Sequence, residues 1–288
     1  MIKPLAFSPG SISCFFRIVE NDDPSLTVSK GCAVTIREGV TASVEESDLF
    51  EIVLNGRPVR LPTVQTVVQE LTHRPLRIFL ESPLPIGCGF GFSAAAALSA
   101  AFALNRTLNL GKSRDQLAAL CHQAEVQHKT GIGDVAAQLA GGVLFRRCQE
   151  GVFDTIRLPH RPAPLYCTVF GPIETREILG DATRMATIAT AGDLALASFK
   201  KPTAVSWEAL LEISRKFAEE SGLMREEVRD GLRQVEAIGG KGCMVMLGNA
   251  LLSTIPLVPS PLGERAKGEG GCLESWQTTV DFEGTRLL

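Results

Sequence analysis

Residues 81–98 constrain the fold more than any other stretch: Glu81-Ser-Pro-Leu-Pro-Ile-Gly87-Cys-Gly89-Phe-Gly91-Phe-Ser93-Ala-Ala-Ala-Ala-Leu98. Three glycines at alternate positions follow Leu76–Leu80, an apolar run that reads as a strand. Behind them Ser93–Asn105 is rich in Ala and Leu and free of Gly and Pro, which predicts a buried helix. Strand, glycine loop and helix in that order let the backbone approach a ligand and offer it free N–H groups at the positive end of a helix dipole. That combination suits a phosphate, although a plain strand-to-helix turn would use the same residues. Two familiar phosphate motifs are excluded. Counted from Gly87, the dinucleotide fingerprint would need glycine where Phe92 stands. A P-loop ending at Gly111-Lys112-Ser113 would need glycine where Arg106 stands.

The rest of the chain reads as an α+β protein, strands first and then helices, twice over. Ser11–Val19 is a strand, and Cys32–Ile36 with Thr41–Val44 looks like a pair around Arg37-Glu-Gly39. Phe50–Leu54, Asn55-Gly56 and Pro58–Leu61 form a hairpin signal, because Asn-Gly supplies the positive φ of a two-residue turn. Thr63–Leu71 fits a short helix, and Ser113-Arg-Asp-Gln116 is a capping box opening another. A domain boundary is expected near Pro159–Pro164, dividing the chain into 1–161 and 162–288. Beyond it come a strand (Leu165–Phe170), a helix around Asp181–Ala189 and two amphipathic helices. The first amphipathic helix carries Leu210, Ile213, Ser214 and Phe217, and the second carries Val228, Leu232 and Val235 before Gly239-Gly240. Cys243–Leu247 and Leu251–Ile255 resemble a strand pair, Pro259–Gly271 a mobile loop, and Val280–Leu288 an edge strand.

Composition narrows the function. Lys and Arg number 29 against 32 Asp and Glu, a net charge of −3, with no basic cluster of the kind a nucleic-acid binder shows. The eight cysteines are scattered singly, so a zinc site is not expected and the thiols read as small buried hydrophobes. Pro4, Pro9 and Gly10 interrupt the start before a secretory leader could form, and no stretch reaches the ~20 apolar residues of a membrane span. A cytoplasmic protein is expected.

Several residues are candidates for chemistry. Ser93 opens the helix behind the loop, where it could cap the helix or ligate a phosphate or Mg²⁺. Glu125 lies four residues after Cys121, on the buried face of its helix, where a carboxylate needs a partner. That partner is either a metal ion or Lys129 at i+4. Asp134 sits in the glycine-flanked Thr130-Gly-Ile-Gly-Asp134, where an Asp is favoured for turn hydrogen bonding. Lys30 and Arg146-Arg147 are candidate cations for an anionic substrate, or solvated surface charges; His122 and His128 read as structural.

Pro83–Ala95 resembles the nucleotide loop of the GHMP kinases, the superfamily of galactokinase, homoserine kinase, mevalonate kinase and phosphomevalonate kinase. Phe7-Ser-Pro-Gly10 looks like their N-terminal Ala-Pro-Gly motif. Thr130–Asp134 with Gly141-Gly142 is similar to their Ser-Gly-x-Asp segment, and Gly239–Gly248 sits where their third glycine motif belongs. Within the superfamily the likeness points to the archaeal pantoate kinase family, carried by Gly89–Ala94, by Ala124–Val126 leading into Thr130–Val135, and by Met244–Asn249. The resemblance implies a two-domain fold, with a ribosomal-protein-S5-like N-terminal domain that binds nucleotide and a ferredoxin-like C-terminal one. It implies an ATP- and Mg²⁺-dependent kinase acting on the hydroxyl of (R)-pantoate on the way to coenzyme A, and a homodimer. It assigns Pro85, Gly87, Gly89, Phe90, Gly91, Ser93 and Ala94 to ATP, Ser93 and Glu125 to the metal, Asp134 to catalysis, and Lys30 and Arg146 to the acceptor. Two departures stand out: an extra residue, Gly133, before the acid, and Phe92 where the family carries a second hydroxyl. Another GHMP kinase, acting on mevalonate, shikimate or homoserine, or an inactive nucleotide-binding regulator, fits the same motifs.

Overall fold

The computed structural model describes residues 4–159, 163–173, 178, 180–199, 201–257 and 274–288. It is a mixed α+β structure built on two sheets. The first sheet holds β1 (Ala6–Val19), β2 (Val28–Glu46), β3 (Glu51–Leu54), β4 (Arg57–Pro58) and β5 (Leu76–Glu81). Its main path runs β12-β1-β2-β5-β3-β4, with β6 (Val143–Arg146) also on β2 and β7 (Thr155–Arg157) on β6; β12 is Arg286–Leu287. All its pairs are antiparallel except β3 with β5, whose crossover is α1 (Pro62–Leu71). The second sheet is antiparallel, in the order β11-β8-β10-β9: Glu274–Thr278, Leu165–Gly171, Asn249–Ser253 and Gly242–Met244.

The Asn55-Gly56 hairpin forms as expected, with φ of 48° and 77°. Its second arm ends at Pro58, because Pro62 opens α1 four residues later. The expected pair around Arg37-Glu-Gly39 is instead one strand. β2 runs through, and Arg37 and Glu38 bulge out between the pairs Gly39–Pro9 and Ile36–Gly10. Pro9 has no N–H to give a regular ladder, and a bulge tolerates it. The displaced Arg37 N–H donates to Thr279 O.

The alanine-rich segment is α2 (Phe92–Thr107), with Ala94–Ala97, Ala100, Ala101 and Ala103 fully buried. Side chains this small let the helix lie close on β1 and β2 while α1, α3 (Arg114–His128) and α4 (Asp134–Ala140) pack around it. The Ser113–Gln116 capping box opens α3. The helix expected at Asp181–Ala189 runs on as α5 (Ala182–Ser198), and its Gly192 lies against β1, where a Cβ would sit 2.5 Å from the Phe16 carbonyl oxygen. Next come α6 (Trp207–Glu220) and α7 (Glu226–Ala237), the amphipathic pair, packed on the second sheet; Gly239 follows with φ 84°. The expected strand Cys243–Leu247 stops at Met244, because Leu247 takes φ 61° in a turn closed by Gly248 N–H to Val245 O. The expected edge strand at the end reduces to a Val280–Ile36 bridge and β12. The Pro259–Gly271 loop lies outside the described residues. Six of the seven described cysteines are buried as apolar side chains. Among the described residues no helix is long and apolar enough to cross a membrane.

Candidate active site

The glycine loop ends β5 and enters α2 over a cleft of about 270 Å³. Gly87, Gly89 and Gly91 have φ of 75°, 84° and 64°, conformations an L side chain rarely adopts. The loop is tied down on both flanks. Ser11 N–H on β1 donates to Phe90 O, and Ile173 N–H to Gly87 O. Gly89 lies so close to the Val245–Gly248 turn that a Cβ would sit 2.7 Å from Met246 O. Phe90 packs its ring on Trp276 of β11, centroids 5.1 Å apart. Pro85, Gly87, Gly89, Phe90, Gly91 and Ser93 line the cleft, while Ala94 is buried behind them and has only its backbone to offer.

Ser93 does not cap α2. The N-cap is Gly91, without a side-chain bond, so the Ser93 hydroxyl is available elsewhere. It donates to Glu125 Oε1 at 2.5 Å, and Thr130 Oγ1 donates to the same oxygen at 2.8 Å. Thr63 of α1 joins this cluster 3.1 Å from Ser93 Oγ. Glu125 is 1% exposed, and its partners are hydroxyls rather than Lys129. Burial drives its pKa up to about 7, against the pull of the Ser93 and Thr130 hydroxyls.

Asp134, the first residue of α4, accepts a 2.7 Å hydrogen bond from Ser11 Oγ at Oδ1. Burial raises its pKa, opposed by Ser11 and by the Arg146 charge. Glu125 Oε2 and Asp134 Oδ2 converge on Gly131, where a Cβ would lie 2.7 Å from one and 2.9 Å from the other. Arg146 is buried at 1% exposure, with Nη2 3.4 Å from Ser29 Oγ and with Nε and Nη1 without partners among the described residues. The extra Gly133 now has a physical reason: a Cβ there would sit 1.2 Å from Arg146 Nη1. The inserted glycine is the space the guanidinium occupies beside Asp134.

The structure therefore gathers Ser93, Glu125, Asp134 and Arg146 around one turn. It leaves Lys30, on β2 opposite Arg17, outside the cleft walls, and the buried Arg146 is likewise not among the residues that line the cleft. Arg147 is paired with Asp154 instead. His122 is held by Thr27 O and His128 by Thr66 Oγ1. Sequence reading passed over Thr63, Ser11 and Gln138. Thr63 gives no signal in sequence, whereas Gln138, one helical turn after Asp134, was accessible from i, i+4 spacing.

The family model for the N-terminal domain of GHMP kinases matches residues 60–142, the segment that carries this loop and both carboxylates. The chain belongs to the GHMP kinases. Among curated proteins it is similar to pantoate kinases. That of Methanospirillum hungatei is 32% identical over 275 residues, 93% of this chain and 90% of the relative. That of Thermococcus kodakarensis is 32% identical over 278 residues, 91% and 90% of the two chains. A solved phosphotransferase related to the CoA biosynthesis pathway superposes with TM-score 0.81 at 29% identity, covering 99% of this chain and 98% of its own.

Proposed function

We propose that the protein transfers the γ-phosphoryl group of ATP to the primary hydroxyl of (R)-pantoate, giving (R)-4-phosphopantoate. The observation that carries this reading is the Asp134 carboxylate in the cleft wall under the glycine loop, with the buried Arg146 charge acting on it from behind. Asp134 already faces this guanidinium; in this reading a hydroxy acid adds a carboxylate for Arg146 Nε and Nη1, which have no hydrogen-bond partner among the described residues, while its hydroxyl meets the base. Pantoate kinase relatives at 32% identity support pantoate as that acid.

In this reading the N–H groups of the Gly87–Gly91 loop and the start of α2 cradle the phosphates. Asp134 accepts the acceptor's proton as its oxygen bonds to the γ-phosphorus and the bond to the β-phosphate oxygen breaks. Burial helps here, because a carboxylate with a raised pKa is a better base. The donor set fits a hard cation: the Ser93 hydroxyl and the Glu125 carboxylate, both oxygen, the carboxylate buried and without a positive partner among the described residues. Ser93 and Glu125 would hold Mg²⁺, which when bound offsets charge on the phosphates. Cutting the chain at 161/162, between the family-matched segment and the second sheet, remains our proposal for its domain division.

The test is ATP turnover with pantoate, mevalonate, homoserine and shikimate offered separately. Turnover with pantoate alone supports the assignment; turnover with another acid and none with pantoate reassigns the acceptor. ATP binding without turnover on any acid would instead make the protein a nucleotide-binding regulator.

A further inference from the structure

Gln138 is fully buried on α4, one turn beyond Asp134. Its amide nitrogen lies 2.8 Å from Gly91 O and 2.9 Å from Ser11 Oγ. A backbone carbonyl only accepts, so the Gly91 oxygen fixes which end of the amide faces it. Both amide hydrogens are then committed, one to Gly91 O and one to Ser11 Oγ. Ser11 accepts from Gln138 and has its own proton to give, and Asp134 Oδ1 takes it at 2.7 Å. The direction of every bond in the chain is thereby set from Gln138 outward. Asp134 Oδ1 is engaged, and Oδ2 is left beside Gly131 and Glu125 Oε2.

The third glycine of the loop is fitted to this chain of bonds. A Cβ on Gly91 would sit 2.3 Å from Ser11 Oγ and 2.6 Å from Gln138 Nε2. One carboxamide thus touches the carbonyl that ends the phosphate loop and, through a single hydroxyl, the carboxylate at the reacting centre. We propose that Gln138 is a positioning residue, which holds the Asp134 carboxylate and the phosphate loop in one register through Ser11. The proposal rests on Asp134 being the catalytic carboxylate. Glu125 from α3 and Arg146 from β6 also face Asp134 and touch neither bond of the carboxamide, so they leave the relay to Gln138 and Ser11.

The test is a set of double-mutant cycles on kcat with pantoate, using Gln138→Leu, Ser11→Ala and Asp134→Asn, with ATP affinity and thermal midpoint measured alongside. Gln138→Leu should lower kcat ~10–100-fold, the scale expected when a reacting group is misplaced by about an ångström. ATP affinity should stay within ~3-fold. In the Asp134→Asn background the same change should alter kcat less than ~3-fold, because the carboxylate it orients is already gone. Ser11→Ala keeps the Gln138–Gly91 bond and should repeat the pattern, which settles the matter if Gln138→Leu fails to fold. A purely structural Gln138 would lower the midpoint and multiply its effect in both backgrounds; that additivity, or wild-type kcat in Ser11→Ala, overturns the proposal. Asp134→Asn within ~3-fold of wild type would instead overturn the base reading beneath it.

Discussion

Three glycines in the site are glycine because of what their neighbours need. Gly131 yields its side-chain space to two carboxylates, Gly91 to Ser11 and Gln138, and Gly133 to Arg146. Gly133 has φ −120°, so alanine there meets no backbone strain and only the guanidinium is in its way. Gly133→Ala should raise the KM for pantoate ~10-fold or more while leaving ATP affinity within ~3-fold. Initial rates with each substrate varied in turn check this, and an unchanged pantoate KM would remove Arg146 from acceptor binding. Glu125 makes the opposite trade, since a buried carboxylate without a cation costs stability. Its pKa rises from an ordinary 4.5 to about 7, so the folded state binds the proton more tightly than the unfolded state. The stabilisation is therefore full below about pH 4.5 and is lost as pH rises through about 7, up to about 3 kcal/mol in all. Metal-free Glu125→Gln, which cannot ionise, should then be more stable than wild type at pH 8 and little changed at pH 5, by thermal or denaturant melts. The same variant should lose ~10²-fold or more in Mg²⁺-dependent turnover. Equal activity would return Glu125 to a structural role.

The elements that bear the site meet through backbone as much as through side chains. Gly248 illustrates this: a Cβ there would lie 2.0 Å from Cys88 O, inside the phosphate loop. Gly248→Ala must push the loop away from the Val245–Gly248 turn. It should lower kcat/KM for ATP ~10–100-fold with a smaller effect on pantoate KM, measured by steady-state kinetics. An unaltered ATP KM would mean that the loop does not depend on this turn. Such contacts explain what was legible in the sequence and what was not. The Asn55-Gly56 turn, the Ser113 capping box and the helix behind the loop were readable because each is written within a few neighbouring residues. The β2 bulge was not, because it depends on Pro9, nearly thirty residues upstream across the sheet. That Gly192 sits inside α5 rather than ending it was not legible either, because its reason is a contact with β1 across the fold. In the site, spacing placed Glu125 on a buried face, and Asp134 was legible through the resemblance of Thr130–Asp134 to a family motif. Spacing could not supply Ser11 and Thr63, which come from β1 and α1 and reach the carboxylates only in the folded chain.

At the scale of the whole molecule, the second sheet reaches back to the nucleotide loop. β11 brings Trp276 onto Phe90, at 5.1 Å and an interplanar angle of 50°. The chain then returns to the first sheet, where Thr285 donates from N and Oγ1 to Gln138 O and β12 pairs with β1. The phosphate loop is thus clamped between strands from opposite ends of the sequence, and ordering it around a nucleotide should be felt at β11. The sequence holds two tryptophans, Trp207 and Trp276, so the Trp207→Phe variant leaves one indole, packed on the loop. An indole edge is sensitive to small changes in the aromatic ring and dipoles against it, and the Phe90 backbone moves with the cradle. Titrating Trp207→Phe with ATP should shift or quench the Trp276 emission, saturating at the affinity found in equilibrium binding. Gly248→Ala should move that titration to higher ATP, by the same ~10–100-fold as its kinetic effect, because both report one loop position. Emission that stays flat while ATP binds would mean that nucleotide leaves Phe90 and β11 undisturbed, and that the second sheet supports the loop without responding to its ligand.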